Sequence, residues 1–501
     1  MCFFRNFHPW IVVAALLTAC SQPSNALQTT PSAGSRLPNM TSTQSPSGGA
    51  AQSSLPTLEP SSTENPPQAT GAPGGLNPAG PYAVFAGDQG IWIANPDGSF
   101  PTRISEPGLG KGGQDLRSAI SPDGKTLAMT ATGKTGLDLV LVEIPGGKTK
   151  TVFRLIDITR RELSLNSVTP KAFAYYAITD FPSLAWQPGG EGGLAFVAAG
   201  EGGMADLFTY DVAHEKTRHI EEDASQAISP IWSPDGGYLL FFGVNWKPPY
   251  GATYITFQPM AGFWAVQASD NRILPQGMPT GTYRNFLGWR DDTHYLIFDS
   301  TKDCPAKNLR SVDLRTGEAL TIAEYCLNTV PAWSPTSGAI LLSVGPECGC
   351  DIGEGVFLLT ADSSAPVRLL EKEAFDIDWL PESGVFYAFP EALFSADGRQ
   401  RYDPPVRGSS FRPAVSKTGN QAWVVIENHR SRVVARTPGA DWRTVLKGGV
   451  SAMLWDPIAG ETLLMVLDTG LIETAVAPDF TPLQAGVLGG YFDQATWTAV
   501  P

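Results

Sequence analysis

The sequence predicts an all-β protein, a single β-propeller of about eight (seven to nine) four-stranded antiparallel blades. Three observations carry this. A short apolar strand ending in tryptophan recurs at Trp186, Trp232, Trp289, Trp333, Trp379, Trp455 and Trp497, with weaker copies at Ile120 and Val415, mostly about 36 to 57 residues apart. That interval is the period of propeller blades. Turn signals and further short strands follow each copy. The two ends of the patterned region are complementary: Tyr82–Ala86 matches the second strand of a repeat, whereas Gln494–Val500 is a tryptophan strand with nothing after it. Joining them completes one blade and removes the open sheet edges.

Within a unit the elements follow in order. The first strand ends in a turn such as Ser121-Pro122-Asp123-Gly124 or Ser233-Pro234-Asp235-Gly236. Proline presets φ at the first turn position, Asp bonds locally, and Gly takes φ > 0. The second strand is apolar or alternating, as in Tyr238–Phe242, Ala339–Ser343 and Thr462–Val466. A third follows, as in Leu137–Val142 and Leu207–Asp211, and a fourth closes most units, as in Lys150–Phe153. No amphipathic helix of convincing length is evident. The unit around Gly384–Tyr402 is short, which sets the expected number at eight although nine first-strand equivalents are present. The repeated Trp-Ser-Pro-Asp-Gly core resembles the TolB-like propeller repeat, a relative of WD-type repeats. The resemblance covers most of residues 82–500 and implies fold far more than function.

The N-terminus is organised differently. Arg5 is the lone charge before the apolar run Trp10–Leu17, which is too short to span a bilayer. Leu17-Thr18-Ala19-Cys20 follows and resembles the lipobox of bacterial lipoproteins, in which cleavage falls before a diacylated cysteine. The resemblance implies a signal peptide over 1–19, lipid attachment at Cys20, and stable two-chain anchoring outside the cytoplasmic membrane. Residues 20–81 are nearly all Ser, Thr, Pro, Gly, Ala, Gln and Asn, a composition that reads as a disordered linker. The propeller domain is expected over 82–501.

Net charge is −14 and no basic stripe is evident, which argues against a nucleic-acid surface. In a four-stranded blade, the turns after the first and third strands share one face of the disc, here the first face. The turn after the second strand and the link to the next blade share the second face. The long segments Arg154–Phe181, Gly243–Tyr254 and Gln276–Asn285 all fall on the second face, where binding residues are therefore expected. Trp246, Tyr250 and Tyr254 in one loop, and Tyr175 and Tyr176 beside Phe173 in another, are the candidate ligand contacts. The alternative is that these rings pack the loops onto the disc. Cys304, Cys326, Cys348 and Cys350 map to the same face, and an even number in an exported chain suggests disulfides with three possible pairings. Cys304–Cys326 is the natural one. Cys-x-Cys lacks the spacing of structural zinc, so no metal is expected.

The motifs of several enzyme classes do not occur. There is no Gly-x-Ser-x-Gly elbow. His214 and His219 are five apart and belong to a hairpin rather than a zinc-binding helix. Gly108–Gly113 matches a dinucleotide fingerprint by letters, but it reads as a blade-linking loop with no helix after it. The expectation is a membrane-anchored extracytoplasmic lipoprotein, monomeric and without cofactor, whose propeller is a non-catalytic scaffold for an envelope protein, a peptide or a cell-wall glycan. The alternative is an extracellular propeller enzyme, a glycan hydrolase or lyase acting at the central funnel.

Overall fold

The computed structural model describes residues 75–106, 109–110, 115–165, 169–189, 192–220, 226–244, 260–276, 283–300, 306–346, 352–360, 365–407, 409–488 and 492–498. Among them lie nine four-stranded antiparallel sheets, the blades of one propeller. The segment from Asp376 to Tyr402 is a complete blade despite its brevity. Its strands are joined by tight turns such as Phe389–Ala392, so shortness there reflects economical loops rather than a degenerate unit. The number is therefore nine, at the top of the expected range.

Blade 1 is built from both ends of the chain. Its first strand is Phe492–Trp497, pairing with Ala83–Gly87, which in turn pairs with Gly90–Ala94. Ala83 faces Trp497 and Phe85 faces Ala495 across this seam. Tyr82 N donates to Thr498 Oγ1 at 2.9 Å, and Thr498 N donates to the Tyr82 carbonyl at 2.9 Å. Blades 3 to 9 begin at Leu184, Gln226, Tyr283, Ala332, Asp376, Ser410 and Val450. First strands of several adjoining blades touch, those of blades 8, 9 and 1 in succession among them, and they line the central channel. Buried clusters join successive blades, for example Val84, Ile93, Leu127 and Val142 between blades 1 and 2.

Blade 2 departs from the pattern. Its first strand is split: Leu109–Gly110 pairs with Thr130 and Ala131, and Ile120 bridges to Leu127. Between them lies a one-turn helix, α1 (Leu116–Ala119), capped by Asp115, whose Oδ1 accepts from Ser118 N at 2.7 Å. The fingerprint-like glycine stretch thus contributes to a strand and is followed by a helical turn, contrary to the loop expected. The first-turn N–H groups of α1 are already engaged, Leu116 N by Gln494 Oε1 (2.8 Å) and Ser118 N by Asp115 Oδ1. Instead α1 bridges the first strands of blades 1 and 3, accepting the Trp186 indole N–H at the Ala119 carbonyl (2.9 Å).

That indole contact recurs. Trp232 Nε1 donates to the Ala185 carbonyl (3.0 Å) and Trp455 Nε1 to the Ala414 carbonyl (3.2 Å). Each carbonyl belongs to the residue before the tryptophan equivalent of the preceding blade. The tryptophan is therefore both a blade's apolar payload and its hydrogen-bonded clasp on the neighbour. The Ser-Pro-Asp-Gly turns form as their chemistry dictates. Ser233 Oγ donates to Asp235 Oδ1 (2.6 Å) and accepts from Tyr238 N (2.9 Å), while Gly236 sits at φ +71°. Ser395-Ala396-Asp397-Gly398 repeats the same bonds between the third and fourth strands of blade 7.

The link from blade 2 to blade 3 is helical, which the sequence pattern did not suggest. It carries α2 (Arg160–Leu165) and α3 (Pro170–Thr179). A reciprocal capping box starts α2: Thr159 N donates to Glu162 Oε2 (2.7 Å) and Glu162 N to Thr159 Oγ1 (3.2 Å). Thr169 caps α3 ahead of Pro170, and Ala172, Phe173, Ala174, Ala177 and Ile178 bury its inner side against blades 2 to 4.

Candidate functional site

The first strands and α1 enclose a cavity of about 460 Å³ in the central channel, bounded by blades 7, 8, 9 and 1 and by α1. Its walls are mainly apolar, with Leu380, Pro413, Ala452, Met453 and Ala495 among them.

Polar groups enter at defined places. In blade 7 the turn after the first strand reads Leu380-Pro381-Glu382-Ser383, so glutamate stands where blades 2 and 4 carry the short Asp of the self-bonded turn. The longer side chain reaches out of the turn. Glu382 Oε1 accepts from Thr496 Oγ1 of blade 1 (2.7 Å) and pairs with Arg117 Nη1 of α1 (3.3 Å), linking blade 7 to two blades beyond its neighbours. Gln494 Oε1 accepts from Leu116 N (2.8 Å), and Ser383 Oγ from Val415 N (2.9 Å). Arg117 and Glu382 keep 54% and 36% of their side-chain surface exposed. A pair so hydrated is worth only about 0.2–1 kcal/mol. Either group can therefore turn toward a ligand at little cost, while the walls stay fixed by the ring.

A second, more polar recess of about 340 Å³ opens between blades 3 and 4 on the first face, lined by Tyr210, Asp211, Lys216, Arg218 and Trp232. Beside it the His214–His219 segment is a hairpin, as the spacing implies, with Asp211 facing Lys216 in its register. His214 Nδ1 lies 2.7 Å from Asp211 Oδ2, and His219 Nε2 lies 3.1 Å from Asp206 Oδ2. Hydrogen bonds from His214 hold the Asp211 carboxyl below its usual range. Burial raises that of Asp206, opposed by the adjacent His219.

Of the candidate ligand contacts, the described Tyr175 and Tyr176 do not line the central cavity. Tyr175 and Tyr176 are half-buried on α3, their rings edge to face at 5.7 Å, while Phe173 is fully buried. Trp246, Tyr250 and Tyr254 lie outside the described residues, as do Cys20, Cys304, Cys348 and Cys350. Cys326 is described and does not stand free. The cavity had one legible signal, the Glu382 substitution in an otherwise regular turn. Its other members, Arg117, Gln494 and Thr496, are brought together by ring closure alone.

No protein-family model matches the chain, and no curated protein matches it. Solved structures similar to it are propellers and propeller enzymes. They include dipeptidyl peptidase 4 of Porphyromonas gingivalis, at 12% identity over 75% of this chain and 60% of that one, with a TM-score of 0.44. TolB from Acinetobacter baumannii is 12% identical over 74% of this chain and 82% of that one, with a TM-score of 0.26. An acylaminoacyl peptidase of Pyrococcus horikoshii is 13% identical over 72% of this chain and 50% of that one, with a TM-score of 0.34. This chain spans 60% of the first peptidase and half of the second.

Proposed function

We propose that this chain is an extracytoplasmic lipoprotein, anchored through Cys20, whose propeller is a non-catalytic binding scaffold. The observation that carries the binding reading is the central cavity. Its walls are strands of a closed ring, so the site is preorganised, and Glu382, Arg117 and Thr496 form a connected polar group within a mainly apolar lining, as in ligand sites generally. The ligand class is a small molecule, or one side chain of an envelope protein or peptide, that offers complementary charge to Glu382 and Arg117. Cys304–Cys326 is the proposed disulfide. In its support, Leu327 N donates to the Ala306 carbonyl (2.8 Å), drawing together the segments that carry the two cysteines.

Two measurements test this. In a bacterial host fed an alkynyl fatty acid, the parent is expected in the membrane fraction with label, and Cys20→Ser in the soluble fraction without it. A Cys20→Ser protein that stays in the membrane refutes the anchor. The propeller is also to be screened against envelope extracts and cell-wall fragments, with Ala452→Phe, which fills the cavity, and Glu382→Ala as controls. Ligand held by the parent and lost at least tenfold in both variants supports the cavity. Equal retention by all three refutes it.

A further inference from the structure

The geometry points to a second binding surface, on the second face of blades 7 and 8, for an acidic polypeptide segment bearing an apolar anchor. This rests on the reading of the propeller as a binding scaffold but uses none of the cavity residues. In a chain of net charge −14, residues 404–449 hold eight Lys or Arg against two Asp or Glu. The basic residues are spread over three strands and the flanking turns, so the sequence shows no stripe. Folding gathers them into one blade.

Several lie at the second-face ends of those strands. Arg412 is near the start of the first strand, Arg430 opens the third after the Asn428-His429 turn, and Lys447 ends the fourth opposite Arg432. Arg432 is paired with Glu427 at 2.9 Å, and Arg407 with Glu391 at 3.7 Å. Arg430 and Lys447 have no carboxylate partner among the described residues. Arg412 Nη1 donates to the carbonyls of Val450 (2.7 Å) and Ser451 (3.0 Å), which fixes the guanidinium without neutralising it.

Apolar surface adjoins these cations. Phe375 is 75% exposed at the entry to blade 7, and its N–H bonds the Phe389 carbonyl at 3.0 Å. The Phe389 ring stacks on Phe411 of blade 8, with centroids 5.5 Å apart. Ile426, 45% exposed, is held beside them by its N–H to the Ser409 carbonyl (2.8 Å). A lone exposed apolar residue is ordinary. Here aromatic and aliphatic groups adjoin across a blade boundary, with Asp376 on the blade 7 side and Arg412, Arg430 and Lys447 on the blade 8 side. Aromatic and arginine enrichment is the composition of protein-binding surfaces. An immobilised guanidinium suits a carboxylate, which it can grip with two parallel bonds. Three uncompensated cations are too few to track a nucleic-acid backbone.

The test is selection of a displayed random 12-residue peptide library on the full chain, repeated on Phe375→Ala and on Arg430→Glu/Lys447→Glu. All three substituted side chains are surface groups outside the core, and thermal melting checks that each variant is folded. The expected result is enriched peptides that combine Asp or Glu with a large apolar residue. The best of them, synthesised, is expected to bind Phe375→Ala about tenfold more weakly and the double variant more than tenfold more weakly, with affinity falling as salt rises. Peptides without that pattern, or binding unaffected by either variant, overturn the assignment. So does tighter binding of polygalacturonate or oligo-dT than of the peptide, which would assign the surface to a glycan or a nucleic acid. Cavity-dependent capture is expected to be unchanged in these variants, so failure of this surface is separable from failure of the cavity.

Discussion

Deletion of residues 492–501 is expected to abolish the closed ring. The deletion removes the first strand of blade 1 and with it the Phe492 and Trp497 side chains, both nearly fully buried. Burial of two such rings is worth about 1.5–3 kcal/mol each, before the lost strand ladder is counted. It also bares the edge of Ala83–Gly87 and the faces of Phe85 and Leu464, which share the same core cluster. The sum rivals the roughly 5–15 kcal/mol by which folded domains are stable. The truncated chain should elute as aggregate or be cut by protease at concentrations that spare the parent. A synthetic peptide covering 488–501, added during refolding, should restore part of the resistance. A truncated chain that melts and resists protease like the parent would sink the account of closure.

The second large effect concerns the tryptophan clasps. Trp455→Ala is expected to cost about 3–5 kcal/mol, the usual range for emptying a buried aromatic site. The informative substitution is to phenylalanine. Trp455→Phe keeps most of the ring but leaves the Ala414 carbonyl unmet in a buried setting, a loss of about 1–3 kcal/mol beyond the volume change. Trp289 is the control, since its buried indole N–H has no partner among the described residues. Urea titration of the two phenylalanine variants should show Trp455→Phe the less stable by that margin. Equal losses at both positions would mean that the indole contributes through packing alone.

These expectations draw on what the sequence made legible. The tryptophan strands, the Ser-Pro-Asp-Gly turns and the complementarity of the two ends are local patterns, and each has one physical solution. The short segment Gly384–Tyr402 reads as less than a full blade, although a blade needs only four brief strands and tight turns. The helices were missed for a different reason. In α3 the buried residues Ala172, Phe173, Ala174 and Ala177 make a faint periodic contrast beside the half-buried tyrosines. The stronger evidence lay in the caps, Thr159 with Glu162 and Thr169 before Pro170. The cavity and the basic blade were hidden because both are products of ring closure. Arg117, Glu382 and Thr496 are far apart in the chain, and basic residues on separate strands become a charged patch only when those strands lie side by side.

The seam between Tyr82 and Thr498 has a consequence in time. These two residues are 416 positions apart yet bond each other directly. At about 5–20 residues per second, roughly 20–80 seconds of synthesis separate them. Throughout that interval the edge of Ala83–Gly87 has no native partner, and every later blade must wait unclosed. The nascent propeller is thus an open-ended stack, most vulnerable to pairing with another chain just before its last strand arrives.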